Sequence, residues 1–247
     1  LYSDHDIFFR ELISNGCDAI TKLKKLDMMG EYTFPEGHKN KVEVILDPEK
    51  KTLTFVDTGL GMTADEVEEY ITQIAFSGAT EFLEKYKDKT EGEQIIGHFG
   101  LGFYSAFMVA DEVHIDTLSY KEGAEPVHWE CDGGTEYTMK TGTKEEVGTK
   151  ITLFLNEEST EFANEYRARE IIEKYCSFMP TEIFLSVEGK EQEFETIPEE
   201  DLHDDDIVVE HIHEDAKTEE RENEDGTKET VEISPAREMV KINKRPV

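Results

Sequence analysis

Apolar Ile7, Phe8, Leu12, Ile20 and Leu23 fall largely on one stripe at helical spacing, which predicts a helix from Asp4 to about Met28. Ser3 and Asp6 make a capping-box-like start, and Gly30 closes the helix. Lys41–Leu46 and Thr52–Val56 alternate as two strands around Asp47-Pro48-Glu49, a hairpin pattern. Thr63-Ala64-Asp65-Glu66 reads as a second capping box that opens a helix to about Ala75. Ser77-Gly78 ends that helix, and Thr80–Tyr86 is a short helical piece before the polar stretch Lys87–Gln94. Ile95–Phe107 passes from a glycine-rich loop into an apolar helix.

Four strand-like runs follow: Glu112–Leu118, Pro126–Cys131, Glu136–Lys140 and Thr149–Leu155. Phe162–Phe178 reads as an amphipathic helix stopped by Pro180, with its aromatics and Trp129 assigned to the core, and Glu182–Val187 as a last strand. Strands at hairpin-compatible spacing mixed with helices predict an α+β fold, a two-layer sandwich of helices on one mixed, largely antiparallel sheet. From 189 to 238 acids dominate and large apolar residues are few, apart from Ile207-Val208-Val209. Such a stretch buries too little surface to offset chain entropy and reads as a charged linker, with Asp225-Gly226 able to form a transient hairpin. Residues 239–247 turn basic, as though a further domain begins there.

Charge narrows the function classes. Acids outnumber bases 58 to 26, a formal charge of −32, which disfavours nucleic acid and anionic membrane surfaces as partners. Cys17, Cys131 and Cys176 lack CxxC spacing and are odd in number, so they predict neither a disulfide framework nor a zinc site. They fit a reducing, cytoplasmic setting. Neither a signal peptide nor a membrane-length apolar run is found, and the abrupt start without Met reads as a fragment.

Three stretches carry chemistry. Glu11 and Asn15 are four residues apart, so on a helix a carboxylate and a carboxamide share one face. Taken alone, that pair reads first as an ordinary solvated helix face; the functional alternative is a general base for water beside an oxygen ligand for a metal ion. Asp57-Thr58-Gly59-Leu60-Gly61 ends a strand with an acid and two glycines; it is either a tight turn or an acceptor for an exocyclic amine with room for a ligand. Gly97-His98-Phe99-Gly100-Leu101-Gly102 puts three glycines before a helix N-terminus, where backbone N–H groups and the helix dipole suit phosphate oxygens. Its order is neither GxGxxG nor a P-loop. His98 reads there as a spacer presenting backbone rather than a base.

In sequence order, ExxxN, DxGxG, a glycine-rich loop entering a helix, and Gly148-Thr149 entering a strand resemble the four nucleotide-binding motifs of the GHKL ATPase superfamily. Phe9–Ala19, Asp57–Thr63, Ile74–Gly78 and Gly97–Asp111 resemble the ATPase domain of the ninety-kilodalton heat-shock chaperones in a bacterial form. The likeness covers about residues 1–188, followed by the acidic linker common in that family. It implies ATP and ADP as ligands, Mg2+ as the ion and slow ATP hydrolysis by the isolated piece. It also implies client proteins as partners, and a homodimer formed through a C-terminal domain beyond this stretch.

Carried over residue by residue, the resemblance implies that Asp57 accepts from the adenine amino group, with Thr149 assisting through water. Met62 packs on the base, which Gly61 lets approach, and Asn15 holds the ion. Gly100, Leu101, Gly102 and Phe103 offer backbone donors to the terminal phosphate, in the loop that also holds Gly97 and His98. Glu11 orients and deprotonates water, with Arg10 beside it in the catalytic group and Asp18 in the supporting shell. Ser77 to Gly100 becomes a lid over ATP. Two departures stand out: Phe76 occupies the place of a usual lysine, and Gly16-Cys17 that of Ala-Ser. Glycine inside a helix costs about 1 kcal/mol against alanine, so close packing at Gly16 is expected.

Overall fold

The computed structural model describes residues 6–72, 101–134, 136–191 and 193–247. They divide into two units, one running to Gly189 with Pro246–Val247 added, the other Lys190–Arg245.

In the first unit, helix α1 (Ile7–Met28) buries Phe8, Phe9, Leu12, Ile13, Gly16, Cys17, Ile20 and Leu23; of the expected stripe Phe8, Leu12, Ile20 and Leu23 are buried, while Ile7 is only half-buried and Phe9 and Ile13 join it. Gly30 takes φ +77° after its last turn and returns its N–H to Asp27 O at 3.0 Å. The helix start differs from the expectation. Ser3 lies outside the described residues, and Asp6 makes no side-chain cap bond. Its carboxylate instead accepts from Arg167 Nη2 at 2.7 Å, an ion-pair partner that outcompetes a backbone N–H.

Strands β1 (Val42–Asp47) and β2 (Thr52–Asp57) form the expected hairpin. Helix α2 (Ala64–Val67) opens with the full capping box of Thr63 and Glu66 and continues as a π-helical turn, Glu68–Thr72. Leu101–Met108 is a 3₁₀ helix where an α-helix was expected. Then come β3 (Ala110–Leu118), β4 (Val127–Cys131), β5 (Tyr137–Thr141) and β6 (Gly148–Leu155). A 3₁₀ turn, Glu157–Ala163, precedes α3 (Glu165–Cys176), and β7 (Ile183–Val187) completes the unit. Helix α3 starts later than its periodicity suggests, because the Asn164 side chain caps it by accepting from Arg167 N at 3.1 Å. Phe162 is buried as assigned, but Phe178, beyond the helix end, is fully exposed rather than in the core.

The seven strands run β5-β4-β3-β6-β2-β1-β7, antiparallel throughout except for the parallel β1–β7 pair. Alternation gives the sheet two unlike faces. Val42, Val44, Leu53, Phe55, Val113, Ile115, Val127, Trp129 and Leu153 form the core-facing side, on which α1 and α3 contribute the other layer. Trp129, buried as expected, donates its indole N–H to Thr72 Oγ1 at 3.1 Å. This is the expected α+β two-layer architecture.

The second unit lies where the sequence expects a linker. It holds β8 (Phe194–Pro198), β9 (Val208–Glu214), β10 (Lys217–Glu222), β11 (Lys228–Ser234) and β12 (Arg237–Asn243). β12 runs between β8 and β9 and supplies buried Met239, Val240 and Ile242, the apolar surface that the acidic stretch lacks by itself. β10 and β11 form a separate hairpin around Asp225-Gly226, with Gly226 at φ +81°. Arg245 grips Asp206 with two hydrogen bonds, 3.0 and 2.7 Å, and this contact above all holds the Asp206 carboxyl down at about 2.

The Asp6–Arg167 contact ties the start of α1 to α3, and Asp6 is nearly buried. Arg167→Ala strands that carboxylate and is expected to cost about 2 kcal/mol. Arg169→Ala, at a partly exposed site whose ion pair with Glu165 is long at 3.8 Å, should stay within about 0.5 kcal/mol. Urea unfolding of the two variants beside the parent checks the ranking.

Candidate functional site

At one end of the sheet the core-facing row turns polar. Thr117 of β3 pairs with Thr149 of β6, which pairs with Asp57 of β2, which pairs with Val42 of β1. Helix α1 crosses above this row, and it can do so because residue 16 is glycine. A Cβ there would stand 3.1 Å from Asp57 Cβ and 3.3 Å from Val42 Cγ2. The close packing expected at Gly16 is therefore a contact with the Asp57 side chain itself.

Thr117 is the residue that sequence reasoning missed. Its buried hydroxyl accepts from Met62 N at 2.9 Å, donates to Gly148 O at 3.2 Å and meets Thr149 Oγ1 at 2.9 Å. A hydroxyl has one hydrogen, and Gly148 O takes it, so Thr149 donates to Thr117. That leaves Thr149 Oγ1 as an acceptor beside the acceptor carboxylate of Asp57. The signal available in the sequence is one hydroxyl in the apolar alternation Val113, Ile115, Thr117.

Asp57 Oδ1 accepts from Gly59 N at 2.8 Å. Burial is the dominant influence and pushes the carboxyl up to about 7, against the Gly59 N–H, the Lys144 charge and the Thr149 N–H. A carboxyl so poised is costly to ionise without a donor, and a donor group is what the site can use. Burial also pushes the Cys17 thiol up, and that of Cys176 to about 12. Both stay neutral small hydrophobes; the three cysteines are free and buried.

The glycines of the Asp57 turn face protein in the direction a Cβ would take. At Gly61, φ +63°, it would fall 1.8 Å from Leu118 O; at Gly59, 2.4 Å from Ala19 Cβ of α1. Gly148, at φ +138°, is pressed equally close to Asp57 O, at 2.1 Å. These glycines seat α1 and the end of β3 against the Asp57 turn.

Along α1, Glu11, Asn15 and Asp18 follow one another at i, i+4 and i+7. The Glu11 side chain keeps 12% of its exposure and lies 3.4 Å from Arg10 Nη2, while Asn15 and Asp18 are exposed. The 3₁₀ helix Leu101–Met108 packs against α1, so the backbone of Leu101 and Gly102 arrives near the same helix. The Phe103 ring is in the core, 6.2 Å from Trp129. Met62 is half-buried against the core and tied by its N–H to Thr117. The fold thus gathers α1, the Asp57 turn, Met62, Thr149 and the Leu101 segment. Phe76, Gly97, His98, Gly100 and the expected lid Ser77–Gly100 lie outside the described residues.

The described part is thus a helix bearing Glu11 and Asn15 laid on an antiparallel-rich sheet, with Asp57 at one strand end and Thr149 beside it. Residues 8–166 match the family of histidine kinase-, DNA gyrase B- and HSP90-like ATPases, and the chain belongs to that family. It is 46% identical over 208 residues to the chaperone protein HtpG of Bacteroides thetaiotaomicron, an alignment covering 84% of this chain and 29% of the relative. The HtpG proteins of Porphyromonas gingivalis and Wolinella succinogenes are 46% and 40% identical, over 84% and 82% of this chain and 30% and 33% of theirs. The chain thus spans about a third or less of the length of these relatives. Among the described residues no helix is long and apolar enough to cross a membrane.

The raised Asp57 carboxyl has a signed consequence. The folded state holds this proton more tightly than the unfolded chain, whose aspartate titrates near ~3.9. The contribution is present below about pH 4 and is lost as pH rises through about 7. Asp57→Asn removes it, so the variant should match the parent near pH 4 and exceed it by about 2–4 kcal/mol at pH 8. Denaturant melts of the ligand-free chains across that range measure the difference.

Proposed function

We propose that this chain is the ATP-binding and ATP-hydrolysing domain of a molecular chaperone of the cytoplasm, whose cycle of lid closure assists client proteins. The observation that carries the nucleotide reading is the acceptor pair Asp57 and Thr149, side by side in register beneath a helix that bears Glu11 and Asn15. Two adjacent acceptors at a half-buried sheet end suit an exocyclic amine, which donates and is uncharged. Met62, half-buried next to them, supplies an apolar edge for a planar base.

In this reading the phosphates lie along α1 between Asn15 and the Leu101–Met108 helix that packs on it. The Asn15 carboxamide is an exposed hard oxygen donor and fits a magnesium ion in ligand type, with Asp18, also exposed, in the supporting shell. When bound, that ion neutralises phosphate charge. Glu11, one turn from Asn15 and largely shielded from solvent, orients water and takes its proton, and Arg10 beside it holds the carboxylate in place. Gly97, His98, Gly100, Leu101, Gly102 and Phe103 are assigned to the phosphate loop, and Ser77–Gly100 to the lid. In the whole protein the chain is taken to dimerise through a domain beyond this stretch, with residues 189–238 joining this domain to the next.

Calorimetry with ATP and ADP, with and without Mg2+, tests the reading directly. The parent chain is expected to bind both nucleotides and to turn ATP over slowly. Asp57→Asn should lose binding at least tenfold even though it stabilises the ligand-free fold. In the whole protein, Glu11→Ala should keep nucleotide affinity while hydrolysis falls at least a hundredfold. Nucleotide binding that ignores Asp57→Asn would refute the site.

A further inference from the structure

The opposite face of the same sheet carries a second cluster. On β3, Glu112, His114 and Asp116 alternate outward, and on β4 His128 and Glu130 do the same. His114 lies opposite Glu130, and Asp116 opposite His128. Each histidine meets its opposite acid, and His128 reaches Glu130 as well, so both imidazoles approach one carboxylate oxygen: His128 Nε2 lies 2.9 Å and His114 Nε2 3.5 Å from Glu130 Oε2. One ligand atom from each of His114, His128 and Glu130 lies within 4.8 Å of the others. Tetrahedral metal bonds of about 2.0–2.1 Å need donor atoms roughly 3.3 Å apart, which small side-chain rotations supply.

The back of one ring is fixed as well. Asp116 Oδ1 lies 2.7 Å from His128 Nδ1, the carboxylate–histidine arrangement that holds a metal-binding imidazole in its tautomer. Nδ1 is bonded to Asp116 and Nε2 to Glu130, so a metal ion would take the place of the proton between Nε2 and the Glu130 oxygen, which must move apart from 2.9 Å to admit it. Glu112 Oε1, 2.7 Å from His114 Nε2, stands near enough to serve as a fourth ligand. His114 is packed edge-on to His128, ring centroids 5.3 Å apart, and against Phe154 at 4.6 Å. Lys140 and Lys150 stand in register with His128 and Asp116 on the neighbouring strands.

We propose that His114, His128 and Glu130 form a site for a divalent transition metal of the zinc class, with Asp116 orienting His128 and Glu112 or water completing the shell. Two imidazoles and a carboxylate select such an ion over magnesium, which prefers oxygen alone. The site is distinct from the proposed nucleotide pocket, which uses the other face of the sheet.

The test is a titration of the untagged, nucleotide-free chain with Co2+ in excess Mg2+, followed by visible d–d absorption and then displacement with Zn2+. One equivalent is expected to bind. Asp116→Asn should weaken it about ten- to a hundredfold, and His114→Gln with His128→Gln should abolish it. His203→Gln, in the separate His203, Asp205 and Asp206 group, should leave it unchanged. Failure to saturate, a thiolate charge-transfer band, or binding that survives the double variant overturns the proposal. Should the double variant fail to fold, histidine NMR of the parent decides: one equivalent of Zn2+ must shift His114 and His128 before any other ring. Neither outcome depends on nucleotide binding.

Discussion

The arrangement depends on how closely a helix can approach a carboxylate. Gly16 lets α1 settle onto Asp57 and Val42, and a side chain there would lift the helix by tenths of an ångström. Around that contact the chain repeats the same device with backbone. Gly59 receives Ala19 of α1, Gly61 receives the carbonyl of Leu118, and Gly148 receives the carbonyl of Asp57. These approaches seal Asp57 from water on the protein side, and it is this sealing that pushes its carboxyl towards neutrality. Helix propensity lost at Gly16 is thus exchanged for a desolvated acceptor.

Thr117 completes the exchange. Buried hydroxyls are tolerated when their hydrogen-bonding capacity is used, and this one is used fully. It locks Met62, Gly148 and Thr149 to one atom, so that three segments far apart in sequence hold a fixed geometry. Without that anchor the Thr149 hydroxyl would be free to turn, and its character as an acceptor would be lost.

Much of this was legible in the residues. The α1 stripe, the β1–β2 hairpin, the Thr63–Glu66 box and the strands that follow have local signatures, and the structure carries them at nearly the expected bounds. The spacing of Glu11 and Asn15 and the glycines after Asp57 mark these residues only as candidates, and it is the order of the motifs along the chain that singles them out. What was not legible is non-local. Thr117 matters through partners 31 to 55 residues away, which no window of sequence reveals. Asp6 forgoes its cap because Arg167, 161 residues on, is the better partner. Of the strands after Gly189 only the Asp225-Gly226 hairpin was anticipated; β8, β9 and β12 escaped notice because composition averages over acids, whereas β12 brings the few apolar side chains that their sheet needs. A glycine-rich segment followed by apolar residues suggested an α-helix, yet Leu101–Met108 winds more tightly as it packs against α1.

β3 serves both faces of the sheet at once. Thr117 points to the helices and His114 and Asp116 point the other way, and each position is held by the two-residue repeat of the strand. The strand is therefore a reading frame in miniature. A single residue inserted or deleted between Val113 and Thr117 would send the hydroxyl outward and a histidine or an acid into the core, erasing the polar row and the histidine cluster in one event. Substitutions along β3 can be graded and repaired singly; a length change there cannot.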